Sequence, residues 1–293
     1  VRMQAARRTA GYWRHRADTE RWPGASTPTY VALRRSEVAV TTHLWDEAAL
    51  RYRRDALPSA FDEGRLVGDV VTFCVDGDLV VDPGHLVRSV TPPNVPFVEG
   101  KVVRFGVDAD SVVDHVEVET RRGLLSIAPR FIVLAAGVSN ARLLAMVAHR
   151  LREQPRRRKL GQAARRSQTV IDHHVVALRS AQLPLIAGTF DDITVVSHAV
   201  PGSSEVVWLV TGCAALQRLV LGDDEVRFDP PVDPAHVGKI VGRLRTASAL
   251  VDAKLRDCSW STYVAREAVH PSAAQAGPAV GTPLPARLDS FGL

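Results

Sequence analysis

The sequence predicts a mixed α/β (α+β) fold, in which some strands alternate with helices and others are grouped in an antiparallel sheet. Three observations predict it. Short β-rich runs follow one another between residues 101 and 134, and the last, residues 131–134, is continuously apolar, as in a parallel strand buried on both faces. More β-rich runs lie between residues 169 and 211, and their partners are expected to be one another. A helix with an apolar stripe is predicted over residues 234–255.

The composition is that of an ordinary globular protein. Of 293 residues, 46% are hydrophobic and 24% are charged, which argues against a disordered chain, collagen or a coiled-coil rod. No apolar run approaches the roughly 20 residues that span a bilayer, and residues 1–8 lack the apolar stretch of a secretory signal. Three widely spaced cysteines, Cys74, Cys213 and Cys258, imply neither a disulfide framework nor a zinc site. We therefore expect a cytoplasmic protein with no membrane partner.

Positive charge is concentrated in one segment. Residues 149–166 contain eight Lys or Arg and one Glu, a net charge of +7, whereas the whole chain carries +5. We expect the segment to be exposed and to contribute little to the core, because so many cations cannot be buried without partners. Of the 37 basic residues 33 are arginine, which indicates GC-rich coding, and no aromatic residue interrupts the segment. We therefore expect no nucleic-acid partner.

Two domains are expected, residues 1–166 and residues 167–293. In the first, residues 43–57 have the spacing of a polar helix, and residues 69–75 are rich in β-forming side chains. Asp82 followed by Pro83 predicts an N-cap and the first position of a short helix that continues to residue 90.

The most informative stretch follows. Residues 101–107, 112–119 and 124–128 predict three strands joined by tight connections, one of them at Gly123. The apolar run 131–134 leads into three small residues, Ala135, Ala136 and Gly137, and then into a helical pattern over residues 139–146. A strand, a small-residue turn and a helix place backbone N–H groups where a polar or anionic cofactor group can bind.

Several common motifs are missing. No two glycines stand in a G-x-G relation, so the dinucleotide-binding fingerprint is absent, and there is no P-loop, G-x-S-x-G or H-E-x-x-H. His173 and His174 are adjacent, which on a strand sends them to opposite faces and makes them poor ligands of one metal. No metal site and no catalytic residue are predicted.

The stretch from Asp82 to Met146 resembles the middle of an FAD-dependent oxidoreductase of the D-amino-acid oxidase/glycine oxidase type. Three features carry the resemblance: the V-D-P-x-x-L helix start at residues 81–86, the strand 101–107 with its following β-meander, and the V-L-A-A-G sequence at residues 133–137. The resemblance implies a partial FAD-binding, Rossmann-like domain followed by a substrate-type domain. It also implies FAD as cofactor, with Val103, Ala135, Ala136 and Gly137 beside the adenosine end.

The resemblance further implies the reaction, which is hydride abstraction from a small amine- or hydroxyl-bearing substrate. In that chemistry the flavin carries the electrons, and the protein supplies orientation, a dry pocket and a charged anchor. Trp260, Tyr263 and Arg266 are the candidates for the substrate pocket, because an arginine can hold a carboxylate through two hydrogen bonds.

The sequence departs from the family pattern at both ends. The G-x-G-x-x-G unit expected before residue 82 and the Gly-rich segment expected after the last helix are missing. We expect an incomplete chain that binds FAD weakly or not at all, since the pyrophosphate needs several backbone donors reached through a glycine turn. The alternative is a non-catalytic remnant or partner-binding domain without flavin. The oligomeric state is left open.

Overall fold

A computed structural model gives the structure of the chain. It describes residues 12, 15–21, 27–47, 51–62, 65–66, 68–76, 80–166, 169–190, 192–212, 216–219 and 231–269. By internal contacts the chain divides into a first unit, Val1–Pro93, His174–Ala214 and Pro231–Val264, and a second unit, Asn94–His173, Ala215–Pro230 and Ala265–Leu293. Both units are discontinuous in sequence. The division at residues 166 and 167 stays a prediction.

The strands and helices are numbered in chain order. The strands are β1 Thr29–Arg34, β2 Arg51–Arg54, β3 Val70–Asp76, β4 Lys101–Val107, β5 Val113–Thr120, β6 Gly123–Ile127, β7 Thr169–Ser180, β8 Ala187–Phe190, β9 Ile193–Ala199, β10 Val206–Gly212, β11 Leu216–Leu219 and β12 Ser259–Val269. The helices are α1 Arg35–Glu47, α2 Pro83–Val90, α3 Asn140–Arg150, α4 Gln154–Arg166, α5 Pro234–Ala247 and α6 Ala249–Lys254, with short 3₁₀ turns at Gly137–Ser139 and Leu255–Asp257.

The mixed α/β fold class is confirmed. A large mixed sheet has the strand order β11-β7-β10-β9-β8-β1-β3-β2, with β12 also paired to β7. The pairing of β1 with β8 is parallel, whereas β7, β10 and β9 pair with antiparallel registers, as the β-rich runs between residues 169 and 211 predict. The strands β4, β5 and β6 form a separate antiparallel sheet, which confirms the predicted meander.

The core of the first unit forms where α5 and α6 pack on the large sheet. The apolar stripe of the predicted helix 234–255 is buried there, through Val237, Ile240, Leu244 and Val251. The helix is broken at Ser248, whose hydroxyl donates to the carbonyl of Ala60 and accepts the N–H of Val251. Ser248 therefore acts as an N-cap that starts α6 in a new direction.

The core of the second unit lies between the meander and the two helices α3 and α4. Phe105 of β4, Val147 of α3 and Leu160 of α4 are buried together. The cations of the basic segment whose side chains are described are mostly exposed, as predicted. However, the segment also contributes Leu151 and Leu160 to this core, at 3% and 1% exposure, so the expectation that it contributes little is wrong.

The predicted parallel strand over residues 131–134 is wrong. These residues form neither strand nor helix, and Phe131 and Val133 are 91% and 86% exposed. Ile132 and Leu134 pack on the core of the second unit. The segment thus covers that core with one side only, and its other side is open to solvent. An apolar run by itself does not distinguish this arrangement from a buried strand.

The polar helix predicted over residues 43–57 is also corrected. The helix is α1, which ends at Glu47, and Tyr52 lies in β2 instead. Its ring packs on Trp45 and Phe73 at centroid distances of 5.1 and 5.8 Å, so aromatic packing against the sheet overrides the helical spacing. The helix after Asp82 is confirmed as α2, with the Asp82 carboxylate accepting the N–H of His85. No helix in the described ranges is both long and apolar enough to cross a membrane.

Candidate functional site

Val103 lies at a bulge in the edge strand β4. Val102 pairs with Val118 and Arg104 pairs with Glu117, so β4 has one residue more than β5 between these pairs. An extra residue of this kind has no partner residue in the register, and the ladder is locally disrupted there. The side chain of Val103 is half-buried. Among the residues predicted to contact a cofactor, Val103 therefore offers backbone hydrogen-bonding groups rather than a functional side chain.

The predicted turn at Ala135, Ala136 and Gly137 is exposed and leads into α3. Gly137 has a φ of 54°, a left-handed conformation that favours glycine, and nothing lies within 4 Å of where its Cβ would be. The side-chain oxygen of Asn140 accepts the N–H of Ala136 at 2.8 Å, and the N–H of Ser139 donates to the carbonyl of Ala136 at 3.0 Å. The turn is thus closed by its own hydrogen bonds.

These features fit one end of a dinucleotide better than its middle. The backbone of Val103, which lies outside the regular register of an edge strand, could meet the hydrogen-bonding edge of a base. A pyrophosphate needs several converging N–H donors, and the N–H of Ala136 is already bound to Asn140. The described residues therefore provide candidate contacts for an adenosine group but no cradle for two phosphates.

The three residues predicted for a substrate pocket lie on β12. Trp260 and Tyr263 are 58% and 42% exposed and three positions apart, which in a regular strand directs them to opposite faces. Partial burial raises the pKa of the Tyr263 phenol. The backbone of Arg266 continues β12, but its side chain lies outside the described residues. The structure thus does not gather Trp260 and Tyr263 on one face, and their role in substrate binding stays a prediction.

The meander also carries a charged network that the sequence does not predict. The Nδ1 of His115 lies 2.7 Å from the Oδ1 of Asp114, and its Nε2 lies 3.8 Å from the Oε1 of Glu117, which is also paired with Arg104. The ring covers Gly106, where a Cβ would come within 1.8 Å of it. The polar positions that alternate with Val116 and Val118 are the sequence signal that could have revealed this network.

A second histidine connects β7 to α5. His174 is 3% exposed, and its Nε2 accepts the N–H of Asp233 at 3.0 Å. The carboxylate of Asp233 in turn caps α5 by accepting the N–H of Ala235. The ring also contacts His236 at a centroid distance of 4.7 Å. No group of three or more His, Cys, Asp or Glu within the described ranges could hold a metal.

A shallow depression of about 640 Å³ lies on the surface of the first unit. It is lined by Arg65, Gly242, Arg245, Thr246 and Asp252. Asp252 lies 3.1 Å from the Nε of Arg245 and 3.9 Å from Arg65, so its charge is already paired. The depression contains none of the residues predicted from the sequence to form a site.

Comparisons with known proteins find solved structures that resemble this chain, and one of them is described here. The crystal structure of an FAD-dependent oxidoreductase from Pseudomonas aeruginosa aligns with 86% of this chain at 17% sequence identity and a TM-score of 0.48. The aligned region spans 58% of that chain's length. No family model matches the sequence, and a search of curated proteins finds no match.

Proposed function

We propose that this chain belongs to a family of FAD-dependent oxidoreductases. The proposed reaction of that family is hydride abstraction from a small amine- or hydroxyl-bearing substrate. One observation carries the proposal, namely the continuous arrangement of a meander with a bulge at Val103, a small-residue turn at residues 135–137 and the helix α3. Apart from the strand over residues 131–134, which the structure does not form, this is the order that the resemblance to the D-amino-acid oxidase/glycine oxidase type implies. A bound flavin would supply the electron chemistry.

In this proposal the residues of the second unit bind the adenosine end of the cofactor. The backbone of Val103 meets the base, and the turn at Ala135, Ala136 and Gly137 lies beside the nucleoside. Because Asn140 occupies the N–H of Ala136, the turn adds little to pyrophosphate binding. The affinity of this chain for FAD is therefore low, and Trp260, Tyr263 and Arg266 are proposed only as substrate contacts.

The alternative function is a non-catalytic or partner-binding domain that holds no flavin. The hydrogen bond between Ala136 and Asn140 favours it, as does the absence of any G-x-G sequence. The two functions differ in one measurable property, which is whether the chain recognises an adenine nucleotide.

The test is a calorimetric titration of the full chain with FAD, AMP and FMN. If the adenosine end is the group that is held, FAD and AMP bind with similar, weak affinity and FMN does not bind. The variant Val103→Pro removes the N–H at the bulge and is expected to weaken AMP at least fivefold. The control Val98→Pro changes an exposed position in the irregular segment before β4 and leaves AMP binding unchanged.

Three results would overturn or redirect the proposal. Failure of both FAD and AMP to bind favours the domain without flavin. Binding of FMN as tight as that of FAD places recognition on the flavin, against the assignment of Val103. Equal losses in the two proline variants, with unchanged circular dichroism, would show that the bulge has no specific part in nucleotide binding.

A further inference from the structure

The basic segment forms a defined cationic surface on the second unit, made by Arg150, Arg152, Arg157, Arg158 and Lys159. All five side chains are exposed. None of them makes an ion pair with a carboxylate in the part of the chain that the structure describes. The single acid of the segment, Glu153, pairs with Arg156 at 3.1 Å instead. The surface therefore carries five positive charges and no compensating negative charge within the segment.

The cationic surface is held in a fixed position. Leu151 and Leu160 are almost fully buried in the core beneath it. Arg156, on the same side of α4 as Leu160, is half-buried and donates to the carbonyl of Asp110 at 3.4 Å. With one side of the helix fixed in this way, the three consecutive cations at positions 157–159 occupy the rest of its circumference.

Coding bias does not explain this arrangement. It accounts for the choice of arginine over lysine, but not for a net charge of +7 within residues 149–166 of a chain whose total is +5. Like charges spaced along one helix repel each other and destabilise it. An anionic partner removes that repulsion.

We propose that the cationic surface binds the phosphate backbone of double-stranded DNA without sequence preference. Guanidinium groups match phosphate oxygens through paired hydrogen bonds. Single-stranded nucleic acid is the poorer fit, because residues 150–166 contain no aromatic side chain on which bases could stack. A lipid surface is also a poorer fit, since an interfacial helix needs a free apolar face and Leu160 is buried in the core.

This proposal revises the expectation of no nucleic-acid partner and is independent of the proposed oxidoreductase function. That expectation rested on composition and on the lack of a recognised module. Binding to a phosphate backbone needs neither, because it depends on exposed and fixed cations.

The test measures fluorescence anisotropy of a labelled 25-base-pair DNA duplex of arbitrary sequence with the full chain. If all five cations contact phosphates, the logarithm of the association constant falls with the logarithm of salt concentration with a slope of about −4 to −5. The variant R157Q/R158Q/K159Q is expected to bind at least tenfold more weakly at low salt, with a slope smaller in magnitude by about 2 to 3.

The matched control is R51Q/R54Q/K239Q, which removes three exposed cations of the first unit and makes the same change in net charge. It is expected to bind within threefold of the wild type. Equal weakening of duplex binding in both variants would overturn the proposal, because the loss of affinity would then come from the lower net charge of the protein and not from the cationic surface. Absence of duplex binding at 50 mM salt, tighter binding of a single strand, or tighter binding of phosphatidylserine vesicles would also overturn it. Circular dichroism of both variants verifies the fold.

Discussion

Gly188 is the position where the smallest possible substitution should have a large effect. It pairs with Tyr30 in the parallel register between β8 and β1, and a Cβ added there would lie 2.2 Å from the carbonyl oxygen of Tyr30. Contacts of this kind are not observed below about 3.0 Å. The neighbouring atom belongs to the backbone of a paired strand, so it cannot move aside alone as a flexible side chain could.

The magnitude follows from the displacement required. For Gly188→Ala the two strands must separate by roughly 1 Å, which weakens about two ladder hydrogen bonds at about 1 kcal/mol each and disturbs the packing of Phe190, whose ring lies 2.9 Å from the new Cβ. Overpacking adds about 1–3 kcal/mol. We expect a total loss of about 3–5 kcal/mol in the free energy of unfolding.

The assay is urea unfolding followed by circular dichroism, with Gly242→Ala as the matched control. Gly242 lies inside α5 of the same unit, and nothing lies within 4 Å of where its Cβ would be. Alanine there should stabilise the helix by about 0.5–1 kcal/mol, so the same chemical change has opposite signs at the two sites. A loss below 1 kcal/mol for Gly188→Ala would refute the close approach of β1 and β8.

Three further predictions concern the two cores and the surface. Leu160→Ala should lower the free energy of unfolding by about 2–4 kcal/mol, because this side chain of α4 is only 1% exposed. The control is Leu125→Ala, at a 39% exposed position of β6 in the same unit, which should lower it much less. His174→Leu removes the acceptor for the partly buried N–H of Asp233 and should cost about 0.5–1.5 kcal/mol in urea unfolding, whereas His174→Gln keeps an acceptor and should lose less. Equal losses would contradict the role of that hydrogen bond. The hydrogen bond from Arg179 lowers the pKa of Glu205, so their interaction stabilises the fold above the ordinary glutamate pKa and is lost as the pH falls through the lowered value. In Arg179→Gln the free energy of unfolding should therefore fall less steeply as the pH is lowered through that range. An unchanged pH dependence would contradict the pairing.

The sequence predicts those helices and strands in which the spacing of apolar residues matches the side chains that are buried in the core. The apolar stripe of α5 and the apolar alternation of β9 and β10 belong to side chains that are buried in one core, among them Val237, Val195 and Trp208. The sequence pattern and the structure therefore agree. Residues 131–134 are different, because an apolar run does not reveal whether one side or both sides will be covered. The local spacing predicts a helix at Tyr52, because its partner Phe73 is distant in sequence and lies outside any local window.

The candidate site shows a similar division. Val103 and the turn at residues 135–137 were predicted through a family resemblance, but the bulge at Val103 depends on the register between two strands. The contact of Asn140 with Ala136 depends on one side-chain rotamer. His115 was missed because charged residues on a strand are usually a solvated face, and only the stacking over Gly106 distinguishes it.

The bulge in β4 also bears on how insertions and deletions are tolerated. Val102 and Phe105 both face the core although they are three positions apart, since the extra residue between them restores the alternation. Removing Val103 would leave Val102 inward, Arg104 outward and Phe105 inward in a regular ladder. Removing Arg104 instead would shift the outward position to Val103 and leave Glu117 without its cation. Both deletions keep Val102 and Phe105 on the inward face, but only the loss of Val103 also keeps the pairing of Arg104 with Glu117, so the length of this strand can vary at that position without loss of its inward side chains or of that ion pair.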